Sequence, residues 1–409
     1  MASELAESYD PLGRHLDDPY AFYAEARHHQ PVFHSPRLDA WVVTRFRDVD
    51  AILRDPATFS SAHSLRPVRA LYPPTFAVLA DGYPPKPDHI TSDGDAHRRY
   101  RRPYARHLTE PGRVKGMEPG IRVRANALVD RFIDTRRADL VTQFTSPLPV
   151  ATAAALFGLE PGDAAAAKQG SEALFSLGSA DLTEEDEQVA ARAVVSFQHL
   201  LADRVRGRRA APAGDLISDV IAALAPGDEP LTFDQEAELV GTLASTFGAS
   251  HITTTDTIGN ALRLLLAHPG QWALLRSRPE LVAGAVEEVL RYESPVPTLF
   301  RRTTRPATVA GVNLPAGADV LLVFASANRD EDRYPDAARF DVTRTPTRHF
   351  GFGAGVHTCV GAGPARAMAK VALQTLLERL PGLAGENERS FALRRSINVR
   401  GPLSLELRW

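Results

Sequence analysis

Residues 234–267 carry a helical pattern far longer than the ~12-residue average helix, and it is apolar over most of its surface. A helix that is hydrophobic all round has to be buried all round. This one therefore crosses a core, and other helices must surround it. The most apolar runs elsewhere, residues 149–159 and 320–327, fall well short of the ~20 residues that span a bilayer. The burying medium is thus the protein itself, and a large helical body is expected.

The flanking sequence agrees. Residues 120–134, 183–206, 279–292 and 364–380 read as helices. The second opens on the cap signature Thr183-Glu184-Glu185-Asp186, and the third stops at Ser294-Pro295. Residues 18–28 and 48–54 also read as helices, with Asp48 as N-cap of the latter, and 208–214 reads as a loop. Short strands are expected at 32–33, 40–45, 307–312 and 319–324, and 397–400 with 403–407 alternate like a hairpin. The class is mainly α with a small β portion. No low-complexity linker divides it, because the Pro-rich stretch 71–88 is too short and too apolar. One domain spanning 1–409 is expected.

The 47 basic and 50 acidic side chains give a net charge of −3, without the basic excess that a nucleic-acid binder needs. The N-terminus lacks a charged-then-apolar signal pattern, so a soluble, cytoplasmic protein is expected. There is one cysteine, Cys359, which excludes an intrachain disulfide and a multi-cysteine zinc site.

Cys359 sits in Phe350-Gly351-Phe352-Gly353-Ala354-Gly355-Val356-His357-Thr358-Cys359-Val360-Gly361. Glycines let a backbone take positive φ and approach a flat surface closely. A helix start just after a cysteine favours its thiolate. The bland alternative is a buried cysteine in a glycine-rich turn. The glycine spacing favours a loop that presents a thiolate to something large and flat.

Residues 352–361 resemble the haem-binding loop of the cytochrome P450 family, F-G-x-G-x-H-x-C-x-G, at every fixed position. The resemblance implies that family's fold, with haem b between a long distal helix and a proximal helix preceded by the Cys loop. It implies Cys359 as axial iron ligand, with Phe352, Gly353 and the loop N–H groups beside the sulfur. Glu288 and Arg291 fit the family's E-x-x-R motif and, with Arg339, would form a buried ion cluster. His97, Arg101, Arg301 and His349 fall where haem-propionate partners are expected. Ala249 would lie over the haem and Thr253 would assist oxygen activation.

The chain departs from the family's distal A-G-x-[DE]-T. Ser250 replaces the glycine and Ile252 the acid, while His251 occupies a position that faces away. Ser250 could bond back to helix carbonyls. The expected activity is monooxygenation of a small, moderately apolar or aromatic molecule by a monomer. Radical coupling or nitration is the alternative that Ile252 raises, and a haem sensor without turnover is the third. The expected substrate pocket draws on Phe76, Phe175, Ser245, Gly248, Ala249, Pro297, Thr298, Leu299 and Ile397. Electrons would come, with molecular oxygen as co-substrate, from a separate ferredoxin and ferredoxin reductase. Arg98, Arg99, Arg102, Arg106, Arg366 and Lys370 would form the docking patch.

Overall fold

The computed structural model of the chain describes residues 4–385 and 391–409. Its axis is the helix Phe233–Ala267, 35 residues long. The helix starts where a capping box permits: the Thr232 hydroxyl accepts the Gln235 N–H, and the Gln235 side chain accepts the Thr232 N–H at 2.9 Å.

The helix runs through two separate apolar cores. Its first half, from Ala237 to Phe247, packs with Tyr104, Phe157, Phe197, Leu201 and Ile217. Its last part, from Ile258 to Leu265, packs with Ile121, Phe144, Val289, Leu373 and Leu376. The stretch between them, rich in small and hydroxyl side chains, belongs to neither core. Helices Pro147–Phe157, Ala164–Ser179 and Glu184–Ala210 contact the long helix, as do Val282–Tyr292 and Ala362–Arg379. No described helix is long and apolar enough to cross a membrane.

A five-stranded sheet lies to one side, in the order Val32–Ser35, Ala40–Val43, Asp319–Val323, Thr298–Thr303, Phe59–Ser60. The Ala40–Val43 and Asp319–Val323 pair is parallel and the other pairs are antiparallel.

Several expectations are corrected. The helix expected at 48–54 is Phe46–Leu53, capped at Arg45, so Asp48 sits in its first turn. The helix Glu184–Ala210 continues into the expected loop at 208–214. Residues 307–312 are not one strand: Ala307–Val309 and Val312–Leu314 form a hairpin about Ala310 and Gly311, both at positive φ, as a tight two-residue turn requires. The C-terminal hairpin is shifted. Its arms meet through the Leu393↔Pro402 bridge and the Arg394 N–H to Gly401 carbonyl bond. Glu406–Arg408 pairs instead with Arg137–Asp139 and Ala384–Gly385.

Candidate active site

Between the two cores lies a cavity of about 510 Å³. The long helix contributes Thr246, Ala249, Ser250, Thr253, Thr254 and Thr257 to its wall. The Cys loop contributes Phe352, Gly353, His357 and Cys359.

The loop is shaped by its own backbone. The Cys359 N–H donates to the Phe352 carbonyl at 2.9 Å, and the Gly353 N–H donates to the Phe350 carbonyl at 2.9 Å. Gly353 and Gly355 both adopt positive φ. A Cβ on Gly355 would lie 2.1 Å from the Leu53 carbonyl oxygen, so only glycine fits. The sulfur is reachable from the cavity but otherwise enclosed by protein. Burial pushes the Cys359 thiol up, outweighing the Gly361 backbone N–H and the Arg101 and Arg366 guanidiniums.

Glu287 braces the loop from outside. It accepts Arg366 at 2.7 and 2.9 Å and meets His349 Nε2 at 3.2 Å. Burial works against this carboxylate, but Arg366 and His349 hold it at about 2. Arg366 also lies over the Phe352 ring, 4.3 Å from its centroid. His349 is thus turned away from the cavity, its Nδ1 accepting the Gly351 N–H, and is not at the cavity edge where a propionate partner was expected.

His357 stands there instead. Its ring centroid is 4.1 Å from that of His97, and both Nε2 atoms are buried without a hydrogen-bond partner. Burial, with Arg301 close by, pushes His357 down to about 3. Arg301 is buried, bonded to Ser64 Oγ and the Phe300 carbonyl, and lowered to about 10 by burial. Arg101 donates to the Thr358 carbonyl at 2.6 Å. Four basic groups thus gather at one edge of the cavity.

On the wall formed by the long helix the hydroxyls turn inward on the backbone. Thr253 donates to the Ala249 carbonyl, Ser250 to Phe247, Thr254 to Ser250 and Thr257 to Thr253. Their lone pairs remain for acceptance only. His251 points away, to Ser171 Oγ at 2.8 Å, and burial holds it neutral down to about 3. Ile252 is buried.

Of the expected pocket residues, Phe175, Ala249 and Leu299 line the cavity. Phe76 is 57% exposed on the outer face of its helix. Ser245 bonds Asp88, and Thr298 bonds the Ile397 carbonyl. Gly248 admits Phe175, whose ring lies 2.6 Å from where a Cβ would be. Pro297 and Ile397 are buried off the wall, and Val296, Asn398 and Val399 take their place. The error is one of phase, since a one-residue shift in extended chain reverses the face.

Glu288 and Arg291 are buried as expected and bonded twice, at 2.7 and 2.8 Å. Arg339 is not the third ion. Its side chain is 65% exposed toward Asp341, and only its carbonyl accepts Arg291. Arg344 fills that role, 3.2 Å from Glu288.

The family model described as Cytochrome P450 matches residues 182–382. Cytochrome P450 107B1 of Saccharopolyspora erythraea is 34% identical over 85% of this chain and 83% of its own length. The chain belongs to the cytochrome P450 family. Mycinamicin IV hydroxylase/epoxidase of Micromonospora griseorubida is 35% identical over 91% of this chain and 90% of its own. The solved structure of cytochrome P450 CREJ in complex with (4-ethylphenyl) dihydrogen phosphate superposes with a TM-score of 0.92 at 29% identity, covering 99% of this chain and 100% of that one. The chain is accordingly an oxidoreductase of the monooxygenase type, whose family works with a small-molecule substrate, oxygen and redox partners.

The family binds haem b through a cysteine thiolate. The residues here fit that group. The cavity exposes one sulfur, glycines remove bulk beside it, and two orphaned imidazole nitrogens with two guanidiniums lie where carboxylates could meet them.

Proposed function

We propose that this chain is a haem-thiolate monooxygenase for a neutral, moderately apolar small molecule, working in the reducing cytoplasm. The observation that carries it is the Cys359 sulfur opening onto a cavity that Thr253 also lines and whose edge gathers His97, Arg101, Arg301 and His357. Cys359 would ligate the iron and the four basic groups would hold the propionates. Haem bound here supplies reductive cleavage of molecular oxygen, one atom going to the substrate and the other to water. Thr253 and Ser250 offer acceptor lone pairs on the oxygen side. Leu65, Ile90, Phe175, Val296, Leu299 and Val399 enclose the substrate in an apolar wall.

A separate ferredoxin is the proposed electron donor. Its expected patch is largely neutralised from within: Arg98 meets Asp95, Arg99 meets Glu238, Arg106 meets Asp219, Arg366 meets Glu287 and Lys370 meets Glu118. Reduction by ferredoxin should therefore depend only weakly on salt.

Ile252 favours a second reading, coupling or nitration without ordinary oxygen insertion, because no carboxyl stands at that position. Product mass separates the two. A gain of one oxygen atom from labelled dioxygen supports monooxygenation; a coupled or nitrated product without that label overturns it.

A further inference from the structure

We propose that His89 is a specificity residue for the substrate, donating a hydrogen bond from its Nε2–H to an uncharged acceptor oxygen, a carbonyl or ether, on an otherwise apolar molecule. It rests on the haem-thiolate monooxygenase reading above.

His89 lies on the connection between the helices Pro73–Leu79 and Gly94–Leu108. It lines the cavity but is only 7% exposed. Its place is fixed from two directions. The preceding residue, Asp88, accepts the Ile90 N–H at 2.8 Å and the Thr91 N–H at 2.9 Å through Oδ1, and the Ser245 hydroxyl of the long helix through Oδ2. The His89 ring packs on Tyr104, with 5.0 Å between centroids, and the Tyr104 hydroxyl meets Thr242 Oγ1 at 3.1 Å. Ser245 and Thr242 stand about one and two turns before Ala249. His89 is thus anchored beside the long-helix wall on which Thr246 and Ala249 line the cavity.

A buried side chain ordinarily has its polar atoms paired. Neither nitrogen of this ring is. Nδ1 is shut from solvent without a partner, and Nε2 bonds no described residue. Burial, helped by Arg101 and His97 and opposed by Asp88, keeps the imidazole neutral down to about 4. A neutral ring carries one proton. On Nδ1 that proton would make a sealed donor with nothing to receive it, the rarer kind of orphan. On Nε2 it can meet a group inside the cavity.

The hydroxyls on the neighbouring wall do not compete for this role. Thr246, Ser250, Thr253 and Thr254 have given their hydrogens to helix carbonyls and can only accept. His89 supplies a donor that they lack, and an acceptor oxygen on the substrate is its complement. A ligand without that oxygen would leave the imidazole N–H unpaired, which is how a site of this kind discriminates.

The test uses the holoenzyme and two probes of one shape, 4-phenylcyclohexanone and phenylcyclohexane. Reduced carbon-monoxide spectra of wild type, His89→Phe and His89→Gln come first. A thiolate band missing from wild type defeats the haem-thiolate reading and this inference with it. A band lost only in the His89 variants puts His89 among the groups that hold the haem and overturns this inference alone. Dissociation constants are then measured by equilibrium dialysis. The preference for ketone over hydrocarbon should fall about tenfold in His89→Phe and return in part in His89→Gln, whose amide keeps a donor. The infrared carbonyl band of the bound ketone should lie at lower wavenumber in wild type than in His89→Phe. The inference is overturned by a preference that His89→Phe leaves unchanged or His89→Gln does not restore, by a carbonyl band that does not move, or by a ketone that wild type does not bind.

Discussion

At the scale of single residues, Gly355 and Gly353 look alike but carry different constraints. Both have positive φ, but only Gly355 has a carbonyl in the place of its missing Cβ; near Gly353 the closest atom is 3.8 Å away. Gly353→Ala should cost mainly backbone strain, about 1 kcal/mol at the low end of the usual range. Gly355→Ala adds a clash with Leu53 and should cost about 3 kcal/mol or force the loop open. Urea denaturation of the two variants side by side checks the order; equal losses would count against the Leu53 contact. Histidine shows where sequence reading stops. Both His349 and His357 lie near the cysteine, and His357 is a fixed position of the motif itself. Only the fold shows that Glu287 captures His349 and leaves His357 at the cavity edge.

At the scale of elements, the pair Glu288 and Arg291 fastens the helix Val282–Tyr292 to the segment that leads into the Cys loop. Arg291 donates to the Asn328 and Ala337 carbonyls, and Glu288 accepts the Asp341 N–H. Glu288→Ala leaves Arg291 buried without its counter-charge and should cost about 3–5 kcal/mol. Arg339→Ala removes an exposed side chain but keeps the bonded carbonyl, so its effect should stay within about 0.5 kcal/mol. Chemical denaturation of both distinguishes this cluster from the one that sequence alone implied.

The long helix was legible because an apolar surface on all sides admits no other reading. The strand Thr298–Thr303 was not, because Arg301 and Arg302 break its apolar signal; Arg301 is buried only because Ser64 and the sheet receive it. The same strand sets the pocket phase, which explains why Leu299 was placed correctly and Thr298 was not.

At the scale of the whole molecule, Glu293 gathers distant parts of the chain. Tyr20, Arg263, Arg329 and Arg400 all reach it, at 2.6, 2.7, 3.6 and 2.5 Å. Burial opposes its charge, but Arg400, Arg263 and Arg329 bring the carboxyl from 4.5 down to about 2. A lowered carboxyl stabilises the fold above its unfolded value and loses that contribution as pH falls through the folded one. Between pH 5 and 2 the fold should lose roughly 3 kcal/mol from this group. Glu293→Gln should be less stable than wild type at pH 6, with the gap closing toward pH 2 in urea titrations. A gap that does not depend on pH would contradict the assignment.

The cavity, its basic edge and the loop converge on one sulfur. The carbon-monoxide difference spectrum of the reduced protein tests that convergence most directly. Wild type should give the thiolate-shifted Soret band, and Cys359→Ala and Cys359→Ser should both lose it. A histidine-type band in wild type, or a thiolate band that survives in Cys359→Ala, would contradict ligation by Cys359.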